Sequence, residues 1–89
     1  MIVAVTGLAR EARILKGGHI ATVVGGGDAA GLKTQLDSVL PESEVTGVIS
    51  IGIAGGLTTE FHPGSVIVGS EVVANCEHYP TDADWMQRL

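Results

Sequence analysis

The chain reads as an α/β protein with a largely parallel sheet flanked by helices, and three observations carry that expectation. Short apolar runs alternate with segments whose apolar residues recur at helical spacing. Two of those runs end in glycine-rich turns, Val24-Gly25-Gly26-Gly27-Asp28 and Ile51-Gly52-Ile53-Ala54-Gly55-Gly56-Leu57. The 13 glycines, set among β-branched residues, suit short strands and tight turns rather than a disordered chain.

The elements follow in order. Residues 2–6 are a β-branched run closed by Gly7. Residues 8–16 then put Leu8, Ala12 and Leu15 on one helical face, with Arg10 and Arg13 turned elsewhere. Gly17-Gly18 stops that helix, and residues 19–24 resume as a second strand. Asp28 stands where an N-cap belongs, before a helix in which Ala29, Leu32, Leu36, Val39 and Leu40 share a face and Pro41 marks the end. Residues 45–51 are nearly all apolar, which predicts a central strand covered on both faces. His62-Pro63-Gly64 places Pro and Gly as a type II turn prefers and leads into a fourth extended run over 65–73.

Glu77-His78-Tyr79-Pro80 reads as a loop, lining a pocket mouth or simply exposed. Thr81 to Asp84 resembles a capping box with Asp in place of Glu, opening a helix in which Trp85 and Leu89 lie one turn apart. The helical pattern runs uncapped to Leu89 and the strands are few, so residues 1–89 are expected to be the first part of a larger unit.

Composition narrows the function classes. With 45% hydrophobic and 17% charged residues, polar cover is scarce, and some apolar surface is expected to meet more protein, a continuation of the chain or a subunit partner. A formal charge of -5, with only five scattered Lys and Arg, argues against a nucleic-acid backbone as ligand. Cys76 has no partner for an internal disulfide or a zinc knuckle, so it reads as a small loop residue in a reducing, cytoplasmic setting. No apolar run reaches membrane-spanning length. His19, His62 and His78 match no metal-ligand spacing, and Ser50, Ser65 and Ser70 lack the strained elbow of a hydrolase nucleophile.

The glycine turns are where chemistry is expected, because two such turns in one small α/β unit suggest a single crevice at the strands' carboxyl ends. Gly25-Gly26-Gly27-Asp28-Ala29-Ala30 satisfies the loose G-x-G-x-x-A pattern of dinucleotide sites, but the next strand ends Ser50-Ile51-Gly52-Ile53 without the acid that would hold a ribose. Tight turning and close helix packing explain the same glycines. In the second turn, small residues leave room for a planar or sugar-like ligand against exposed amides. Glu11, in the first helix's opening turn, is favoured there by the helix dipole whether or not it touches a ligand.

Taken together, Gly25-Gly26-Gly27-Asp28-Ala29-Ala30, Ile49-Ser50-Ile51-Gly52-Ile53-Ala54-Gly55-Gly56-Leu57 and Pro63-Gly64-Ser65-Val66-Ile67-Val68 resemble the nucleoside phosphorylase and nucleosidase superfamily in order and spacing. Val5-Thr6-Gly7-Leu8-Ala9-Arg10-Glu11-Ala12-Arg13 and Tyr79-Pro80-Thr81-Asp82-Ala83 also resemble its hopanoid-associated branch. The likeness spans essentially all 89 residues and less than half of the family's domain. It implies the amino-terminal part of a three-layer phosphorylase/hydrolase-like fold and a cytoplasmic homo-oligomer with no cofactor. The implied activity is N-glycosidic cleavage, with phosphate as co-substrate and adenine released from adenosylhopane in hopanoid synthesis.

By position, Glu11 corresponds to the family's acid near the nucleophile. Gly25, Gly26 and Gly27 correspond to its second-strand loop, and Gly52, Ala54, Gly55 and Gly56 to its sugar and base turn. This chain departs at Ile53, where nucleosidases carry Ser, and at Ser50, where some phosphorylases carry a phosphate-binding Arg. Arg10 and Arg13 are then the remaining anion candidates. The family's sugar-binding Met and Glu segment and purine-protonating Asp have no counterpart here, so the 89 residues alone are expected to be inactive. A noncatalytic nucleotide-binding or subunit-assembly module, or a dinucleotide-binding unit, is the competing expectation.

Overall fold

The computed structural model describes residues 1–15, 17–42 and 44–89, and its contacts gather into two compact units, Met1–Ala54 and Gly55–Leu89. The first contains β1 (Ile2–Thr6), α1 (Ala9–Ala12), β2 (Ile20–Val24), α2 (Ala29–Val39) and β3 (Gly47–Ser50). The second contains β4 (Glu71–Ala74), β5 (Glu77–Pro80) and α3 (Ala83–Arg88). The protein is therefore mixed α/β, with one parallel sheet of three strands and one antiparallel sheet of two.

In the first unit the strand order is β2-β1-β3. Ile2 lies level with Ile20 and Gly47, and Ala4 with Thr22 and Ile49. Successive side chains of a strand point to opposite faces, so the burial of both Val3 and Ala4 means that β1 is covered on each side. Val23 and Thr6 complete the buried set, and the Thr6 hydroxyl donates to the Leu8 carbonyl at 3.3 Å. α1 packs on β1 and β2, and α2 packs on β2.

The run over residues 45–51 does form a strand, but not the central one. β3 pairs with β1 only, and Val48 and Ser50 are exposed along it. Two-sided burial goes to the strand with a neighbour on each edge, and that strand is β1. The first helix is also shorter than its periodicity predicts. α1 ends at Ala12 with Arg13 as C-cap, and Ile14 and Leu15 continue only as single turns, each N–H reaching the carbonyl three residues back. The end expected at Lys16 lies outside the described residues.

α2 begins as its sequence demands. Asp28 is extended, and its carboxylate accepts the Gly31 N–H at 3.0 Å. The preceding turn needs glycine at two positions, since Gly26 and Gly27 have φ of 61° and 79°. Gly25 packs against α2, where a Cβ would sit in ordinary contact with the Leu32 side chain at 3.5 Å.

In the second unit the Ser65 N–H donates to the His62 carbonyl at 2.9 Å and Gly64 has φ of 93°, as the type II turn requires. The extended run expected over 65–73 becomes a regular strand only at Glu71–Ala74, where β5 supplies a partner. Residues 77–80 are that partner rather than a loop. Asn75 and Cys76, with φ of 51° and 65°, close the hairpin as a two-residue loop of the I′ kind.

The α3 cap falls one residue later than the capping-box pattern puts it. Asp82 accepts the Trp85 N–H at 2.9 Å, while the Thr81 hydroxyl turns away to the Gly69 carbonyl at 2.7 Å. Leu89 stands at the C-cap, its N–H bonded to the Trp85 carbonyl. No helix among the described residues is long and apolar enough to cross a membrane.

Candidate functional site

Parallel strands end on the same side, so the segments following β1, β2 and β3 all leave from one edge of the sheet. The order β2-β1-β3 reverses direction at β1. In open α/β sheets of this order, ligands enter between the carboxyl ends of the first and third strands. Two chain segments meet at that position here. From β1 come Gly7, Leu8 and the opening of α1, and from β3 come Ile51, Gly52 and Ile53.

Glu11 joins them. Leu8, at the N-cap of α1, has no side-chain acceptor, and Glu11 serves the helix entry by taking the Leu8 N–H on Oε2 at 3.0 Å. Its other oxygen, Oε1, accepts the N–H of Ile53 at 3.3 Å, across 42 residues of chain. The Gly52 backbone runs close beside this carboxylate, since a Cβ at that position would lie in ordinary contact, 3.4 Å from Oε1 and 3.5 Å from Oε2. Among the described residues Glu11 has no ion-pair partner.

Beside this carboxylate lies a hollow of about 220 Å³ lined by Glu11, Ile14, Leu15, Ile51, Gly52 and Ile53. Ile14 and Ile53 are 82% and 88% exposed, so its walls are apolar side chains that the fold itself leaves uncovered. The structure thus brings three of the sequence-derived site residues, Glu11, Gly52 and Ile53, into one place.

The other candidates stand apart from the hollow. Gly25, Gly26 and Gly27 follow β2, on the far side of β1, so the two glycine turns do not line one crevice there. The Asp28 carboxylate already takes the Gly31 N–H in the first turn of α2 and adds negative charge where a dinucleotide phosphate would have to sit. Ser50 ends β3 exposed, and Ala54 follows the site exposed. Gly55 and Gly56 belong to the second unit, where a Cβ on Gly56 would press on Phe61 at 3.3 Å. Arg10 and Arg13 are exposed, neither lines the hollow, and neither pairs with an acid among the described residues.

Sequence reasoning passed over Ile14 and Leu15 as lining residues. Helical spacing put Leu15 on an apolar face with Leu8 and Ala12 and left Ile14 off it, and nothing local says that α1 stops before them. The histidines are dispersed: His19 precedes β2, His62 opens the type II turn, and His78 on β5 pairs with Glu71 on β4, Nδ1 to Oε1 3.0 Å. Comparison with known proteins finds no family model, no curated protein and no solved structure that matches the chain.

Proposed function

We propose that the gap between the carboxyl ends of β1 and β3 is a small-molecule site of the nucleoside phosphorylase and nucleosidase kind, acting in cleavage of an N-glycosidic bond. The observation that carries this reading is the hydrogen bond from the Ile53 N–H to Glu11 Oε1, beside an apolar hollow. It joins the acid and the small-residue turn that the sequence resemblance singles out. The same strand order also suits the larger fold, because right-handed crossovers, one from β1 to β2 and the next back past β1 to β3, would put α1 and α2 on opposite faces, as three layers require.

In such a reaction positive charge develops on the sugar as the base departs, and a carboxylate beside the anomeric carbon stabilises it. Phosphate is the expected nucleophile, with Arg10 and Arg13, beside Glu11 and Ile14 in sequence, as the cationic candidates. Adenosylhopane is the substrate that the resemblance implies, in the cytoplasm and in a homo-oligomer.

Amide NMR titration of the protein with adenosine, adenine, phosphate and NAD tests the reading. Adenosine or adenine is expected to shift the Gly52 and Ile53 resonances at millimolar concentrations or below. Shifts at Gly25 to Gly27 with NAD alone would transfer the site to the first glycine turn and favour a dinucleotide-binding unit.

A further inference from the structure

Among the described residues Glu11 is the only ionisable one lining the hollow, and both of its oxygens are engaged by backbone donors, Leu8 N–H at 3.0 Å and Ile53 N–H at 3.3 Å. A carboxylate has about four acceptor positions, so these two bonds leave capacity but set its orientation. The two donors belong to different segments, the entry of α1 after β1 and the turn after β3. The ladder between β1 and β3 ends at Val5 and Ser50, with one further bond from the Ile51 N–H to the Val5 carbonyl at 2.9 Å. Beyond Ile51, among the described residues the Glu11 bond is the hydrogen bond that holds residues 52 and 53 to the β1 side.

We propose that Glu11 is a positioning residue: its carboxylate ties the α1 entry to the turn after β3 and so sets the width of the gap in which a ligand binds. The inference rests on the reading of that gap as a ligand site. The Gly52 backbone runs close beside the carboxylate, where a Cβ would sit in ordinary contact with it, 3.4 Å from Oε1 and 3.5 Å from Oε2. Arg10 and Arg13 flank it in sequence, while β1, β2 and residues 47–54 carry no ionisable side chain.

A pH series of amide spectra on the unaltered protein reads the tie directly, with the Glu11 carboxyl carbon followed in parallel. Amide protons bonded to a carboxylate lie downfield and lose that shift when it is protonated. The Leu8 and Ile53 amide protons are therefore expected to move together, with the midpoint of the Glu11 carboxyl. Glu11→Gln should abolish the pH dependence of both while keeping the β1 resonances in place. An Ile53 amide that ignores the Glu11 titration, or is unmoved by Glu11→Ala, overturns the proposal.

Adenosine titration separates this outcome from the functional reading. If the tie holds and adenosine binds, Glu11→Ala should weaken binding about tenfold, with Glu11→Gln intermediate because one acceptor remains. If the two amides titrate together but neither adenosine nor phosphate shifts residues 52 and 53, the nucleoside reading falls and the tie stands. Adenosine binding of equal strength in the unaltered protein and in Glu11→Ala would overturn the positioning role and leave the site in place.

Discussion

Tyr79 shows how one side chain reports its surroundings. Its hydroxyl donates to Glu77 Oε2 at 2.6 Å, on a strand wholly exposed to solvent. The hydrogen bond to Glu77, together with slight desolvation, raises the Tyr79 pKa above the ordinary tyrosine value. The folded protein therefore holds this proton more tightly than the unfolded chain does. The bond's contribution is fully present below the ordinary tyrosine range and is lost as pH climbs through the raised value. The chain has a single tyrosine, so alkaline titration followed by near-ultraviolet absorbance reads Tyr79 alone. Glu77→Gln should bring the midpoint down towards the ordinary value, and an unchanged midpoint would count against the bond. Glu11 is the contrasting residue. Its place in the opening turn of a helix could be read from sequence, whereas its bond to Ile53 could not, because nothing within 40 positions of Glu11 announces that partner.

At the scale of elements, the helix and hairpin termini carry the most specific expectations. Asp28→Ala should cost roughly 1 kcal/mol by freeing the Gly31 N–H at the start of α2. Gly31→Ala is more telling. In a helix interior that change ordinarily stabilises by roughly 0.5–1 kcal/mol. At this position the new Cβ would lie 2.9 Å from the Asp28 carboxyl carbon and displace the cap, so destabilisation is expected. Placed on an Asp28→Ala background, the same change should stabilise, and urea denaturation of the four proteins reads the reversal of sign. Cys76 occupies a left-handed conformation that costs a residue with a Cβ roughly 1–2 kcal/mol. Cys76→Gly should therefore stabilise the β4–β5 hairpin, seen as slower amide exchange at Val73 and His78, which face each other across the two strands.

These elements also mark how far local signals reach. Asp28 as cap, Pro41 after the end of α2 and the type II turn at His62 were legible because each depends on chemistry within four residues. The hairpin was not. Its loop is Asn-Cys rather than the Asn-Gly pair that signals a two-residue turn, and β5, at Glu77–Pro80, carries two acid-bonded polar side chains and a proline. The α3 cap shifted from Thr81 to Asp82 because the Thr81 hydroxyl had a second acceptor, Gly69, 12 residues away.

For the molecule as a whole, strand order decided what the local patterns left open. The most apolar run, residues 45–51, promised the central strand, yet β1 took that place by pairing with both β2 and β3. That order moved the candidate site as well. It set the turn after β3 beside the start of α1 and left the Gly25 to Gly27 turn across β1, so of two similar glycine turns only one meets Glu11. By itself the sequence determined the α/β class, the kind and order of the elements through β3, the α2 cap and the positions of small-residue turns. Those follow from periodicity and from side-chain to backbone bonds that close within a turn or two. Only the tertiary structure decided which strand is buried, which turn faces the carboxylate and which isoleucines stay uncovered, because each depends on the pairing of segments far apart in the chain.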